Sequence, residues 1–274
     1  MSRSRSIHLL VPAFLAVAAS ALAAGPTLAS SGMSEAPSPT RATAALSASP
    51  NAPSLVSGYG YRHGIDVSHW QGRIDWEEVA AAGVDFVFAK ATQGTWFTDP
   101  RYAENRAEAE RFGIKVSAYH FAEPGLAPDD AVREADHFVD TARLKPRNLI
   151  PVLDLEIDRG LGPRALRRWA KAWLDRVEER LGVKGMIYTS PSFWKDHVGN
   201  STWLAEQGYR VLWIAHYETD EPSVPAKRWD GAGWTFWQWT QCGRVDGIRG
   251  CVDRNAFNGM QLWRLKIRNQ ARIA

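Results

Sequence analysis

One stretch limits what this chain can become: Leu149-Ile150-Pro151-Val152-Leu153-Asp154-Leu155-Glu156. Its apolar part shows no 3.6-residue period, so it suits a strand covered on both faces, as in a parallel sheet flanked by helices. It ends in two acids separated by one residue. Side chains two apart on a strand point the same way, which puts Asp154 and Glu156 on one face with Cα atoms ~6.6 Å apart. Two carboxyls on one side of a buried strand repel and lose hydration, so at least one pKa should rise. A raised carboxyl pKa is what a general acid needs near neutral pH. The same pair could instead cap a helix or hold a surface Arg, because an isolated D-x-E is common.

The rest of the chain repeats the theme. Strands are expected over 64–68, 84–91, 114–121, 186–189, 211–216, 235–240 and 252–257. Helices are expected over 75–82, capped by Asp75 and followed by Gly83, and over 99–111, closed by Gly113. A third opens near Pro128, with Ala131, Ala135, Phe138, Val139 and Ala142 in one stripe. A fourth carries Leu166, Trp169, Ala170, Trp173, Leu174, Val177 and Leu181 on one face, and little room is left for helices after Tyr188. Strands alternating with helices imply parallel β-α units, and eight of them in one domain favour a closed α/β barrel over an open sheet. No G-x-G-x-x-G or G-x-x-x-x-G-K occurs, which weakens a nucleotide-binding reading.

Polar residues gather at the expected strand ends: Asp66, Lys90, Tyr119, His120, Asp154, Glu156, Tyr188, His216, Gln238 and Asp253. In a parallel barrel those ends meet at one rim, where barrel enzymes keep their chemistry. The chain also uses 13 Trp, several in loops or at strand ends. Flat aromatic faces pack against the apolar faces of sugar rings. Trp169 and Trp173 fit core packing, whereas Trp213 and Trp239, beside polar strand ends, fit either core or sugar contact.

The N-terminus has Arg3 and Arg5, an apolar stretch over 7–24 and an Ala21-Leu22-Ala23 cleavage pattern. Residues 1–24 therefore read as a signal peptide; a membrane anchor is the alternative, and the segment is short for one. Its removal leaves 31 basic and 30 acidic side chains, a balance that gives no case for nucleic acid. Residues 25–58 are rich in Ala, Ser, Pro and Thr and read as a disordered tether, with one folded domain over 59–268. Cys242 and Cys251, the only cysteines, suggest a disulfide in an exported protein, worth about 2–3 kcal/mol. No C-x-x-C or nearby His cluster points to a metal, and no cofactor is expected.

These residues resemble glycoside hydrolase family 25, the Chalaropsis-type lysozymes or N-acetylmuramidases. The matching stretches are Gly64-Ile65-Asp66-Val67-Ser68 with Gln71, Phe86-Val87-Phe88-Ala89-Lys90-Ala91-Thr92, Ala118-Tyr119-His120-Phe121 and Pro151-Val152-Leu153-Asp154-Leu155-Glu156. Ile187-Tyr188-Thr189, Leu212-Trp213-Ile214-Ala215-His216-Tyr217, Trp237-Gln238-Trp239-Thr240 and Asp253-Arg254-Asn255 follow in the family's order. The resemblance implies a modified TIM-like barrel of eight strands with about five flanking helices. It implies cleavage of the β-1,4 bond between N-acetylmuramic acid and N-acetylglucosamine in peptidoglycan. By motif, Glu156 matches the general acid/base, Asp154 its partner, Asp66 and Asp253 two further acids, and Tyr188 a site tyrosine. Tyr119, Trp213, Lys90, Gln238 and Trp239 complete the expected substrate-binding set.

Two schemes stay open: Asp154 holding the substrate's own N-acetyl group for attack, or an inverting scheme in which one acid activates water. Gln93-Gly94 stands where family members often have Glu-Gly, and Trp239 where they have Tyr, which bears on subsite preference. The expectation is a secreted monomer acting on glycan strands, with no membrane contact after signal cleavage. A chitinase-type glycosidase is the nearest rival, but its D-x-x-D-x-D-x-E pattern fails at Pro151-Val152. An inactive sugar-binding barrel is the other.

Overall fold

The computed structural model describes residues 60–259 and 261–268. The expected signal peptide and the whole of the expected tether lie outside the described residues. Strands β1 (Arg62–Val67), β2 (Phe86–Gln93), β3 (Phe97–Thr98), β4 (Lys115–Phe121), β5 (Val152–Asp154), β6 (Met186–Thr189), β7 (Leu212–Ala215), β8 (Phe236–Gly243) and β9 (Val252–Phe257) make one sheet. Its order is β1-β9-β8-β7-β6-β5-β4-β2-β3, and β1 also pairs with β2, so eight strands close on themselves. The two-residue β3, not expected from sequence, hangs from the edge of β2 as a hairpin.

The strands alternate as a barrel requires. Phe86, Phe88, Val152, Met186, Tyr188, Trp213, Phe236 and Phe257 fill the interior as one buried cluster. Val87, Ala89, Leu153, Ile187, Ile214 and Trp237, out of phase by one residue, pack against the helical shell. Gly64 sits where only hydrogen fits: a Cβ there would lie 2.2 Å from the Phe86 ring.

The helices are α1 (Trp76–Ala81), α2 (Tyr102–Arg111), α3 (Asp130–Ala142), α4 (Pro163–Leu181), α5 (Pro191–Asp196) and α6 (Trp203–Glu206). The Asp75 side chain caps α1, accepting from the Glu77 and Glu78 amides at 3.2 Å. The expected stripes of α3 and α4 are buried, apart from half-exposed Leu181, and Arg176 and Arg180 of α4 grip Asp136 and Asp140 of α3. Pro225–Asp230 coils left-handed, with φ of 51–57° from Ala226 to Asp230. That conformation costs on the order of 1–2 kcal/mol per residue. Trp229, packed on Trp194 and donating to the Tyr209 carbonyl at 3.0 Å, holds the turn in place.

Three sequence expectations are corrected. The strand expected over 149–156 shortens to Val152–Asp154; Leu149 instead bridges to Lys266, and Glu156 stands just past the strand end. The helix expected from residue 99 starts at Tyr102, because the buried Asp99 carboxylate accepts from the Arg101 amide and from His69. Parallel pairing runs from β1 to β8, but β9 is antiparallel to both neighbours. The eight residues between β8 and β9 cannot contain a crossover, so the chain must double back.

Candidate active site

The antiparallel turn of β9 determines who meets at the rim. Asp66 lies near the C-terminal end of β1, Asp154 at that of β5, and Glu156 just beyond. Asp253 lies at the start of β9, not its end, and reaches the same rim only because β9 runs the other way. It stands in register with Asp66. All four acids therefore gather at one mouth.

Asp66 is the most heavily held. Gln238 donates its amide to both Asp66 oxygens, at 3.0 and 2.9 Å, and Asn255 donates at 2.7 Å. The Gln238 carbonyl in turn accepts from the Tyr188 hydroxyl at 2.8 Å and the Tyr217 hydroxyl at 2.5 Å. Trp213 Nε1 donates to the Asn255 carbonyl oxygen at 2.8 Å, fixing which end of that amide faces Asp66. Trp213 is itself wedged against Phe88 and Tyr188, each ring centroid 4.3 Å away. Tyr119 adds a ring 6.4 Å from Trp213.

Burial dominates the electrostatics. It raises Asp66 to about 6, opposed by the donors from Asn255, Gln238 and Asp253. It raises Asp253 to about 9, reinforced by the Asp66 charge and the hydrogen bond between the two carboxyls. Burial, then the neighbouring Glu156 charge, lifts Asp154 well above the usual carboxylate range, while Lys90 pulls it back. Glu156 opens to solvent at the mouth, yet the surrounding protein raises its carboxyl as well, with neighbouring Asp154 pulling it back. The Asp154 Oδ1 atom is buried and has no partner among the described residues. Burial lowers Lys90, with Asp154 and Asp99 the strongest opposing charges. Lys90 Nζ donates to Gln93 Oε1 at 2.8 Å. Burial keeps the Tyr119 and Tyr188 hydroxyls protonated, pushed well above their ordinary value.

Trp239 departs from the expected set. Gln238 faces the interior, so its neighbour Trp239 points outward into the barrel-helix layer, almost fully buried, with the Arg254 guanidinium 5.2 Å above its ring. His120 also points outward, between Thr92 (2.7 Å) and Glu134 (2.7 Å) and stacked on Trp173. Asn255 and Tyr217 were missed by the sequence reading. Their signal was the strand period: Asn255 is two residues after Asp253, and Tyr217 two after inward-facing Ala215. The Cys242–Cys251 disulfide is present and closes the β8–β9 connection beside Asp253. Among the described residues, no group of His, Cys, Asp and Glu side chains is arranged to hold a metal.

A closed barrel whose mouth gathers four carboxyls of raised pKa suits acid-base cleavage of a glycosidic bond. Residues 65–248 match the model of glycosyl hydrolases family 25, and the chain belongs to that family. It is 38% identical to Lysozyme M1 of Streptomyces globisporus over 205 residues, covering 72% of this chain and 67% of that protein. It is 30% identical to the N,O-diacetylmuramidase of Chalaropsis sp, over 69% of this chain and 95% of that one. Its fold is similar to that of the bacterial lysozyme from Streptomyces coelicolor, with a TM-score of 0.70 at 36% identity, covering 76% and 98% of the two chains. The protein is thus a hydrolase with lysozyme activity, and the barrel expected from sequence is the barrel found.

Proposed function

We propose that the enzyme cuts the β-1,4 bond between N-acetylmuramic acid and N-acetylglucosamine, with Glu156 as general acid/base and Asp154 positioning the substrate's N-acetyl group. The observation that carries this reading is the unpartnered, buried Asp154 Oδ1 beside an accessible Glu156. A buried carboxyl oxygen without a partner is costly, and an acetamido N–H from the substrate would supply one.

Glu156 donates its proton to the bridging oxygen as the glycosidic C–O bond breaks. The acetamido carbonyl oxygen attacks the anomeric carbon, giving a cyclic oxazolinium, and Asp154 stabilises its N–H. The Glu156 carboxylate then takes a proton from water as that water opens the ring from the same face, so configuration is retained. The inverting alternative needs acid and base ~6.5–9.5 Å apart with water between them. Asp154 and Glu156 stand two residues apart at the end of β5 and feel each other's charge, a closeness that favours substrate assistance for this pair.

Asp66 and Asp253 set the charge and orientation beneath them. Tyr119, Tyr188, Trp213, Lys90 and Gln238 shape the floor. In this reading peptidoglycan is the substrate, and the apolar N-terminal stretch fits secretion to the cell wall. Purified peptidoglycan and chitin offered side by side test the substrate class: release of soluble fragments from peptidoglycan alone supports it, and preference for chitin overturns it.

A further inference from the structure

Beyond the four acids lies a feature the reaction itself does not use. Trp70 is 81% exposed, Trp96 70% and Leu126 88%, three of the four large exposed hydrophobic side chains among the described residues. They sit on the loops that leave β1, β2 and β4, which are neighbours in the barrel, and at the rim where the acids gather. The fourth, Trp263, follows β9 near the Leu149–Lys266 bridge, ahead of β5 and away from that rim. Folding gains nothing from an indole left in water, so a cluster of exposed apolar groups marks a surface that meets something else.

The two indoles belong to one row of rings. Trp70 lies 4.7 Å from His69, His69 5.5 Å from Phe97, and Phe97 5.8 Å from Trp96. The row leads into the site: Lys90 Nζ lies 5.7 Å from the Phe97 ring, and the same ammonium feels the charges of Asp154 and Glu156. It is also rigid. His69 is pinned through its amide (3.0 Å) and ring nitrogen (2.8 Å) to the buried Asp99. A capping box between Ser68 and Gln71 fixes the turn that carries Trp70. Gly94 turns the β2–β3 hairpin at φ 52°, and a Cβ there would lie 2.8 Å from the Trp96 indole, so that ring rests against the hairpin backbone. Fixed, flat and half-wet rings lose little freedom on binding, which suits stacking on sugars.

We infer that the His69–Trp70–Trp96–Phe97 row is a distal glycan subsite. It stacks a sugar of the same strand farther from the cleaved bond than a tetrasaccharide bound across that bond extends. The inference rests on the proposed glycan substrate and adds that strand length is read on the β1–β2 flank.

The test is the double variant W70A/W96A of the full chain. It is assayed on long purified glycan strands and on a glycan tetrasaccharide. Both side chains are exposed, and an unchanged melting temperature checks the fold. The expected result is a KM for long strands raised about five- to tenfold with kcat within about twofold. The tetrasaccharide kcat/KM should hold within about twofold, and W70Y/W96Y should restore long-strand KM. Equal losses on both substrates, or no loss on long strands, would overturn the subsite. Wild-type protein that cuts neither substrate would instead overturn the parent reading and the subsite with it.

Discussion

Asp66 and Asp253 face each other across the antiparallel β1–β9 pair, and their carboxyls share a hydrogen bond. Burial and the Asp66 charge push Asp253 up further than Asp66, so the pair shares one proton held on the Asp253 side. An amide can replace a protonated acid as donor, whereas a methyl cannot. Asp253→Asn should therefore keep kcat within about tenfold of wild type, and Asp253→Ala should lose roughly 10- to 100-fold, as for a hydrogen bond to a charged group. Steady-state kinetics at pH 7 would show the ranking, and equal losses would deny the shared proton.

The same raised values set the sign of stability against pH. A carboxyl whose folded pKa exceeds its unfolded value contributes stability that is full below the unfolded value and is lost as pH rises through the folded one. The Asp66 share is gone by about pH 6, and the Asp253 share goes on falling until about pH 9. His120, lowered to about 3 by burial, works the other way: its share is present above about pH 6.5 and lost on acidification. Melting temperatures should therefore fall between pH 6.5 and 9, and Asp253→Asn, which cannot ionise, should flatten that fall. A variant slope as steep as wild type would refute the assignment.

Removing the raised acid at Glu156 should separate function from stability. Glu156→Gln should lower kcat by about 10²–10⁴-fold, the usual contribution of a positioned general acid. At pH 7 its melting temperature should match or exceed wild type, because the amide ends the crowding with Asp154. Thermal melts run beside turbidity-clearing assays would read both, and a strongly destabilised variant would recast Glu156 as structural.

Gln238 is a positioning residue, since it holds Asp66 by two bonds and touches no reacting atom in the proposed scheme. Its donors pull the Asp66 carboxyl down. Gln238→Leu should raise that carboxyl above 6, moving the acid limb of the pH-activity profile toward alkaline pH while kcat falls. An unshifted limb would show that Gln238 only packs.

The disulfide closes a short connection that starts β9 beside Asp253. Replacing both cysteines by Ser should cost about 2–3 kcal/mol, or roughly 5–10 °C in Tm for a domain of this size. Differential scanning calorimetry measures it, and activity at 25 °C should persist.

Much of this site was legible in the chain because β periodicity is strict. Asp154, Glu156, Lys90, Tyr119, Tyr188 and Gln238 fall at the rim by strand ends alone, and the structure brings them together there. Trp239 shows the limit: it adjoins a polar strand end, yet it is one residue out of phase with Gln238 and so faces the shell. Reading phase as well as position would have excluded it and found Asn255. The reversed β9 was legible only in the shortness of the connection before it. The pinning of Asp99 by His69 pairs residues thirty positions apart, which no local pattern carries. The closure of the barrel itself followed from the count of strands and the absence of a nucleotide loop.

The most direct measurement is mass spectrometry of purified peptidoglycan after digestion and borohydride reduction, with wild-type and Glu156→Gln protein in parallel. Wild-type protein should release fragments ending in reduced N-acetylmuramic acid, and the variant almost none. Fragments ending in reduced N-acetylglucosamine, or an undiminished yield from the variant, would contradict it.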